Sequence, residues 1–319
     1  MKNTLRFFIT VSIVGSMILL NTGCHKDKAS LPVVTTADVS GISLASVIGG
    51  GTITDDGGES ISESGVCWST SENPTINDSI AVDQTGSVDF EVNVTGLKWA
   101  TTYYLRAYAT NSVGTAYGNS VSFTTSTPNA LVYVDSSNGD DKVEEALAAQ
   151  RCNVTIVTDG SDFATKIATG SYNLAVLFSQ GNSTPGSITT DILSTYLATG
   201  GLMVYATFDS GSGGNYAALF NAGFTGNVNL STVTLNDAMM IAKAGSTSFT
   251  ITNAGWGTYS TGLSAATGGT VLAAFENGEA AMILGNAGHT MMLGYLSDAP
   301  SSNRQEIFES ILMKLNDSM

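Results

Sequence analysis

The residues with the most chemical potential gather in one glycine-rich stretch, residues 201–214, which reads GLMVYATFDSGSGG. An apolar run leads into Thr207, Phe208 and Asp209, and small polar residues follow. Three chemistries fit such a turn. In a serine elbow, Ser212 would act as nucleophile, with Ser210 and Gly214 as the small neighbours that a strained strand-to-helix turn requires. A neutral serine also needs a base. The chain has two histidines, His25 near the N-terminus and His289 in an expected hairpin turn, so a hydrolase would need His289 to fold back over the strand ends. In a phosphate cradle, backbone N–H groups of a glycine-rich turn face an anion. Here neither G-x-G-x-x-G nor a P-loop lysine is present, and Asp209 would repel phosphate. A metal site would draw on Asp135, Asp159 and Asp209, but aspartates after strands commonly cap the next helix. No Cys/His cluster has zinc spacing. These residues predict no catalytic set, no metal and no cofactor.

The elements that must position this turn follow an alternating pattern. Residues 130–135 are a short apolar run of the buried-strand type, and residues 141–150 carry Val143, Ala146, Leu147 and Gln150 at helical spacing. A strand over 153–159, a short helix over 162–168 and a strand over 172–179 come next. A helix over 189–199 then presents Ile192, Leu193, Tyr196 and Leu197 on one face, stops at Gly200 and Gly201, and leads to a fourth strand over 202–207. Strands alternating with helices predict an α/β domain built on a parallel, doubly wound sheet. Ligands of such sheets lie beyond the carboxyl ends of the strands. That rule selects Asp135, Ser136, Asn138, Gln180, Asn182, Phe208, Asp209, Ser210 and Ser212 as ligand contacts, with Tyr216 as a further stacking surface. Short hydroxyls, amides and carboxylates of this kind suit a sugar or a peptide. Residues 223–268, rich in Gly, Thr and Ser, predict short strands and loops. Strands follow at 270–278, 279–286 and 289–298, with a hairpin at Asn277-Gly278 and a closing helix over 303–315.

Two stretches here, LSTYLATGGLMVYATFD and AAMILGNAGHTMMLGYLSD, resemble the class I glutamine amidotransferase-like fold, especially variants similar to trehalose-utilisation proteins. The resemblance spans residues 130–319, with a generic flavodoxin-like fold as the alternative. It implies a cysteine nucleophile on the turn after the fourth strand and a histidine after the last one. Thr207 or Phe208 occupies the first position here, and residues 294–298 contain no histidine. Cys152 precedes the second strand, on the opposite edge of the sheet, and cannot substitute. The resemblance therefore implies the fold without the activity. The alternative is a hydrolase acting on a carbohydrate or an ester or amide at the strand ends.

Residues 32–126 read differently, as brief alternating segments broken by turn residues, which predicts an antiparallel β-sandwich. The clearest strand is TYYLRAYAT, residues 102–110, where Tyr103, Leu105, Ala107 and Ala109 alternate with Tyr104, Arg106 and Tyr108. With Leu97, Thr101, Asn111 and Gly114, this strand resembles the fibronectin type III consensus. The resemblance implies that the Tyr103 hydroxyl ties back to the preceding loop. Trp99 stands where that family usually has proline. Tyr104 and Tyr108 are expected on the wet face, and the domain is expected to act mainly as a spacer. Residues 127–129, with Pro128, form the expected linker.

At 319 residues the chain fits two domains. A net charge of −15 repels phosphate backbones, so nucleic acid is excluded as a partner. Lys2 and Arg6 precede an apolar stretch over 7–20 that is too short for a comfortable span, and the pattern predicts a secretory leader over 1–23. Residues 20–24, L-N-T-G-C, resemble the lipobox of bacterial lipoproteins, with Asn21 in place of the usual leucine. That resemblance implies acylation of Cys24, a tether over 24–31 and a membrane partner reached through the lipid. His25 after Cys24 argues for the outer membrane, where a glycan or an envelope protein is the expected ligand. Cys67 and Cys152 fall in different expected domains and are predicted to be buried and unpaired.

Overall fold

The structure is a computed structural model and describes residues 28–134, 142–179, 186–207, 216–252, 260–296 and 300–319. The first elements make two antiparallel sheets. One contains β1 (Val33–Thr36), β2 (Val47–Asp55) and β5 (Asp89–Val94) in the order β1-β2-β5. The other contains β3 (Glu63–Ser69), β4 (Ser79–Val82), β6 (Thr102–Thr110), β7 (Thr115–Tyr117) and β8 (Val121–Thr124). Val34, Val47, Phe90 and Val94 from the first sheet meet Val66, Leu105, Ala107 and Phe123 from the second in a shared core. Lys98 N donates to Tyr103 Oη at 3.1 Å, which is the tie expected of that tyrosine.

Tyr108 departs from the alternation reading. It is fully buried, and its hydroxyl donates to Glu63 Oε1 at 2.7 Å. The reason lies outside strand β6. The loop after β3 folds over this face, with Cys67 Sγ donating to Pro74 O and Ile76 N donating to Tyr117 Oη. Tyr117 in turn lies under the Arg106 guanidinium, 4.8 Å from its ring centre. Strand alternation assigns a residue to a face, but it does not reveal that a loop will cover that face.

The remaining elements, in chain order, are β9 (Asn129–Val134), α1 (Val143–Ala149), β10 (Asn153–Val157), α2 (Gly160–Ile167), β11 (Leu174–Ser179), α3 (Thr190–Ala198) and β12 (Leu202–Thr207). Then come a 3-10 turn (Ala217–Phe220), β13 (Ala222–Asn227), β14 (Thr232–Leu235), α4 (Ala238–Ala244), β15 (Ser248–Thr250), β16 (Thr261–Ala265), β17 (Thr270–Phe275) and β18 (Ala280–Gly285). A 3-10 turn (Asn286–Gly288), β19 (Thr290–Leu293) and α5 (Arg304–Asp317) close the chain. The strand order is β10-β9-β11-β12-β19-β18-β17-β14-β15. The pairs from β10 to β19 are parallel, and those from β19 to β15 are antiparallel. The described chain is thus mostly strand, and its helices are few and short. The alternating pattern read from the sequence corresponds to the parallel part, which an antiparallel extension continues.

Both faces of the parallel strands are buried, so their side chains divide by parity between two cores. Ala130, Val132, Val176, Phe178, Val204 and Ala206 face α1, α4 and α5. Leu131, Tyr133, Leu177, Met203 and Tyr205 face α2 and α3. Helix α4 falls within residues 223–268, where composition predicts short strands and loops. It is held at both ends. Asp237 caps it by accepting from Met240 N and pairs with Lys314 of α5 at 2.8 Å, while Asn303 Nδ2 donates to Ala244 O at its other end. Lys243 also pairs with the buried Glu309 of α5.

The sandwich does not stand apart from this sheet. Trp99 and Ala100 belong to the same apolar cluster as α1 and α5. Trp99 Nε1 donates to Gln150 O at 3.1 Å, Trp99 N donates to Asn316 Oδ1 at 3.3 Å, and Arg151 Nη1 donates to Ala100 O at 2.8 Å. Cys67 and Cys152 are both buried and free, and burial pushes their thiols up to about 11 and about 12.

Gly200 and Gly201 end α3 for different reasons. Gly200 has φ +86°, the left-handed geometry of a helix stop, whereas a Cβ on Gly201 would fall within the Tyr196 ring. The Tyr196 hydroxyl donates to Leu202 O at 2.9 Å, which fixes the ring there. Gly200→Ala is expected to cost about 1 kcal/mol and Gly201→Ala about 2–3 kcal/mol in chemical denaturation. Equal costs would contradict the packing role of Gly201.

Candidate functional site

The parallel register sets the geometry of the site. Phe178 of β11 pairs with Val134, the last residue of β9, and Ser179 pairs with Thr207, the last residue of β12. The three strands therefore end side by side at one level. With about 4.8 Å between neighbouring strands, their ends fall within roughly 10 Å of one another. The chain also reverses its direction of winding here, since the connection from β9 leads to β10 on one side and β11 lies on the other. In open α/β sheets, that switch point is where a crevice forms.

The predicted ligand contacts follow these ends in sequence. Asp135, Ser136 and Asn138 come after β9, Gln180 and Asn182 after β11, and Phe208, Asp209, Ser210 and Ser212 after β12. All nine lie outside the described residues, as does Cys24. The described residues at the rim are Ser179 and the fully buried Thr207.

Three other residues considered from the sequence are described. Asp159 accepts from Ser161 N and Asp162 N, both at 2.9 Å, so it caps α2. Among the described residues no three His, Cys, Asp or Glu side chains come close enough to hold a metal. Tyr216 is not a stacking surface. It is 4% exposed, bonded through its hydroxyl to Ile188 O, and set edge-on to Tyr205 at 5.5 Å. Burial pushes its hydroxyl up to about 12. His289 sits at the amino end of the sheet, where its carbonyl accepts from Met203 N at 2.9 Å. Four residue steps along β12, about 13 Å of extended chain, separate Met203 from the rim at Thr207.

Tyr295 was not anticipated. It lies two residues beyond β19, buried beside Phe249, and its hydroxyl has no partner among the described residues. Burial pushes that hydroxyl above the ordinary tyrosine range. No sequence signal marks such a group, because only the packing around it removes its water.

No protein-family model matches the chain, and no curated protein matches it. Solved structures do. A putative GMP synthase subunit from Thermoplasma acidophilum is 11% identical over 59% of this chain and 94% of its own, with a TM-score of 0.41. The sixth fibronectin type III domain of human fibronectin type III domain containing protein 3 is 22% identical over 31% of this chain and 91% of its own, with a TM-score of 0.25. The sensor domain of an anti-sigma factor from Pseudobacteroides cellulosolvens is 18% identical over 30% and 76%, with a TM-score of 0.24. Structural neighbours thus include fibronectin type III domains and a GMP synthase subunit. Likeness at this level assigns no activity, and the strand order carries the description of the fold.

A buried hydroxyl without a partner costs about 1–3 kcal/mol, and removing it relieves that cost. Tyr295→Phe is accordingly expected to leave the melting temperature unchanged or to raise it. A clear fall in melting temperature would show that the hydroxyl is satisfied in solution.

Proposed function

We propose that this chain is a lipid-anchored envelope protein that binds a ligand at the carboxyl-end rim of its parallel strands and does not transform it. In this reading Cys24 carries the lipid, a fibronectin type III-like domain spans 32–126, and a class I glutamine amidotransferase-like, doubly wound domain spans 130–319. The single observation behind the binding role is the coincidence of three strand ends, at Val134, Ser179 and Thr207, beside the switch point. The segments that follow them are rich in hydroxyls, amides and carboxylates, which suit the hydroxyls of a glycan or the backbone of a peptide. The absence of chemistry rests on the sequence, because threonine or phenylalanine takes the place of the family's cysteine and no histidine follows the last strand. The alternative hydrolase gains nothing from His289, whose backbone is at the other end of the sheet. Among the described residues no helix is long and apolar enough to cross a membrane, and an acylated cysteine anchors without one.

Two measurements test the proposal. Cells fed labelled palmitate should label the wild-type protein in the outer-membrane fraction, and Cys24→Ser should abolish the label and release the protein. Label retained in the variant would remove the anchor from the account. On glycan and peptide arrays, the protein should bind one ligand class, and the pair Asn182→Ala and Asp209→Ala should weaken that binding by about tenfold or more. Binding that the pair leaves intact would place the ligand elsewhere.

A further inference from the structure

A second concavity lies between the sandwich and the α1/α5 face of the large sheet. It is an open cleft of about 530 Å³, within the size range of small-molecule sites. Trp99 lines it, and Met239 and Met313 add adaptable apolar surface. Its charged lining consists of two cations, Lys98 and Arg151, and one carboxylate, Asp317, beside the amide of Asn316. Asn316 is 7% exposed, and its Oδ1 accepts from Trp99 N, so the amide is fixed while Nδ2 has no partner among the described residues. Arg151 is tethered by one nitrogen to Ala100 O, which leaves the rest of its guanidinium available. The Lys98 backbone is held on both sides, its N–H by Tyr103 Oη and its carbonyl by Thr125 Oγ1 at 2.6 Å. Asp317 lies at the carboxyl end of α5, where the helix dipole favours a cation. None of Lys98, Arg151 and Asp317 is in an ion pair among the described residues.

Two unpaired cations on one cleft stand out in a chain with 12 basic and 27 acidic residues. We infer that this cleft binds a short zwitterionic peptide with apolar side chains. Its carboxylate meets Lys98, Arg151 and Asn316, its ammonium meets Asp317, and its side chains lie on Met239 and Met313. This site is independent of the strand-end rim. It uses the Lys98 and Asp317 side chains, together with the donors of Arg151 and Asn316 that remain beyond their bonds to Ala100 O and Trp99 N. Charge-assisted hydrogen bonds and a partly desolvated apolar floor provide the affinity.

Calorimetric titration of the full chain with leucyl-leucine, N-acetyl-leucyl-leucine and leucyl-leucinamide tests the inference. Leucyl-leucine should bind one to one, and each blocked peptide should bind about tenfold or more weakly, because each lacks one charged contact. Lys98→Ala should weaken leucyl-leucine and leave leucyl-leucinamide unchanged. Asp317→Asn should weaken leucyl-leucine and leave the N-acetyl peptide unchanged. Melting temperatures of both variants should match the wild type, because both side chains are free of structural partners. Absence of heat with leucyl-leucine at about 10 mM, equal binding of all three peptides, or indifference to both substitutions would each overturn the inference.

Discussion

The parallel pairing of β9, β11 and β12 is the constraint on which the rest of the large sheet depends. Parallel strands that share a register end on the same side, so Val134, Ser179 and Thr207 hand the chain into one small region. The same register assigns alternate side chains to opposite cores, and a slip of one residue would exchange Val204 with Tyr205 and misfit the packing of both. Burial on two faces therefore holds the three strand ends in place. A site built on such ends can vary its side chains without disturbing the sheet beneath.

Trp99 plays the corresponding part at the junction. If the sandwich were only a spacer, this loop would not enter the neighbouring layer. Here the loop places an indole into the layer formed by α1 and α5 and lets it donate to Gln150 O, a carbonyl at the end of α1. Arg151 returns a bond to Ala100 O, so each side satisfies a backbone carbonyl of the other. The joint is thus both apolar and hydrogen-bonded. The sandwich covers part of the core of the large sheet in addition to any spacing role.

Much of the architecture was legible where one period dominated. Residues 102–110 and 202–207 were read with the observed bounds, since the first alternates without interruption and the second lies between Gly201 and the polar turn. Asp159 was recognisable as a cap by its place between a strand and a helix. Helix α4 was missed although Asp237 and Gly245 bracket it, because seven residues inside a stretch rich in Gly, Ser and Thr leave too little periodicity to count. Tyr108, Tyr216 and Trp99 were misjudged or undervalued for one shared reason. Their surroundings come from segments distant in sequence, and no local pattern reports what will cover a side chain. The rim residues named from the sequence lie outside the described residues, so for the candidate site the structure supplies the strand ends from which they depart.

Binding at the strand-end rim without covalent chemistry is the central claim. Incubation of the protein with a fluorophosphonate, followed by mass spectrometry of the peptides that contain Ser210 and Ser212, tests it most directly. No stoichiometric adduct is expected on either serine. Labelling of either one that heat denaturation abolishes would reveal an activated nucleophile at the rim and contradict a purely binding role.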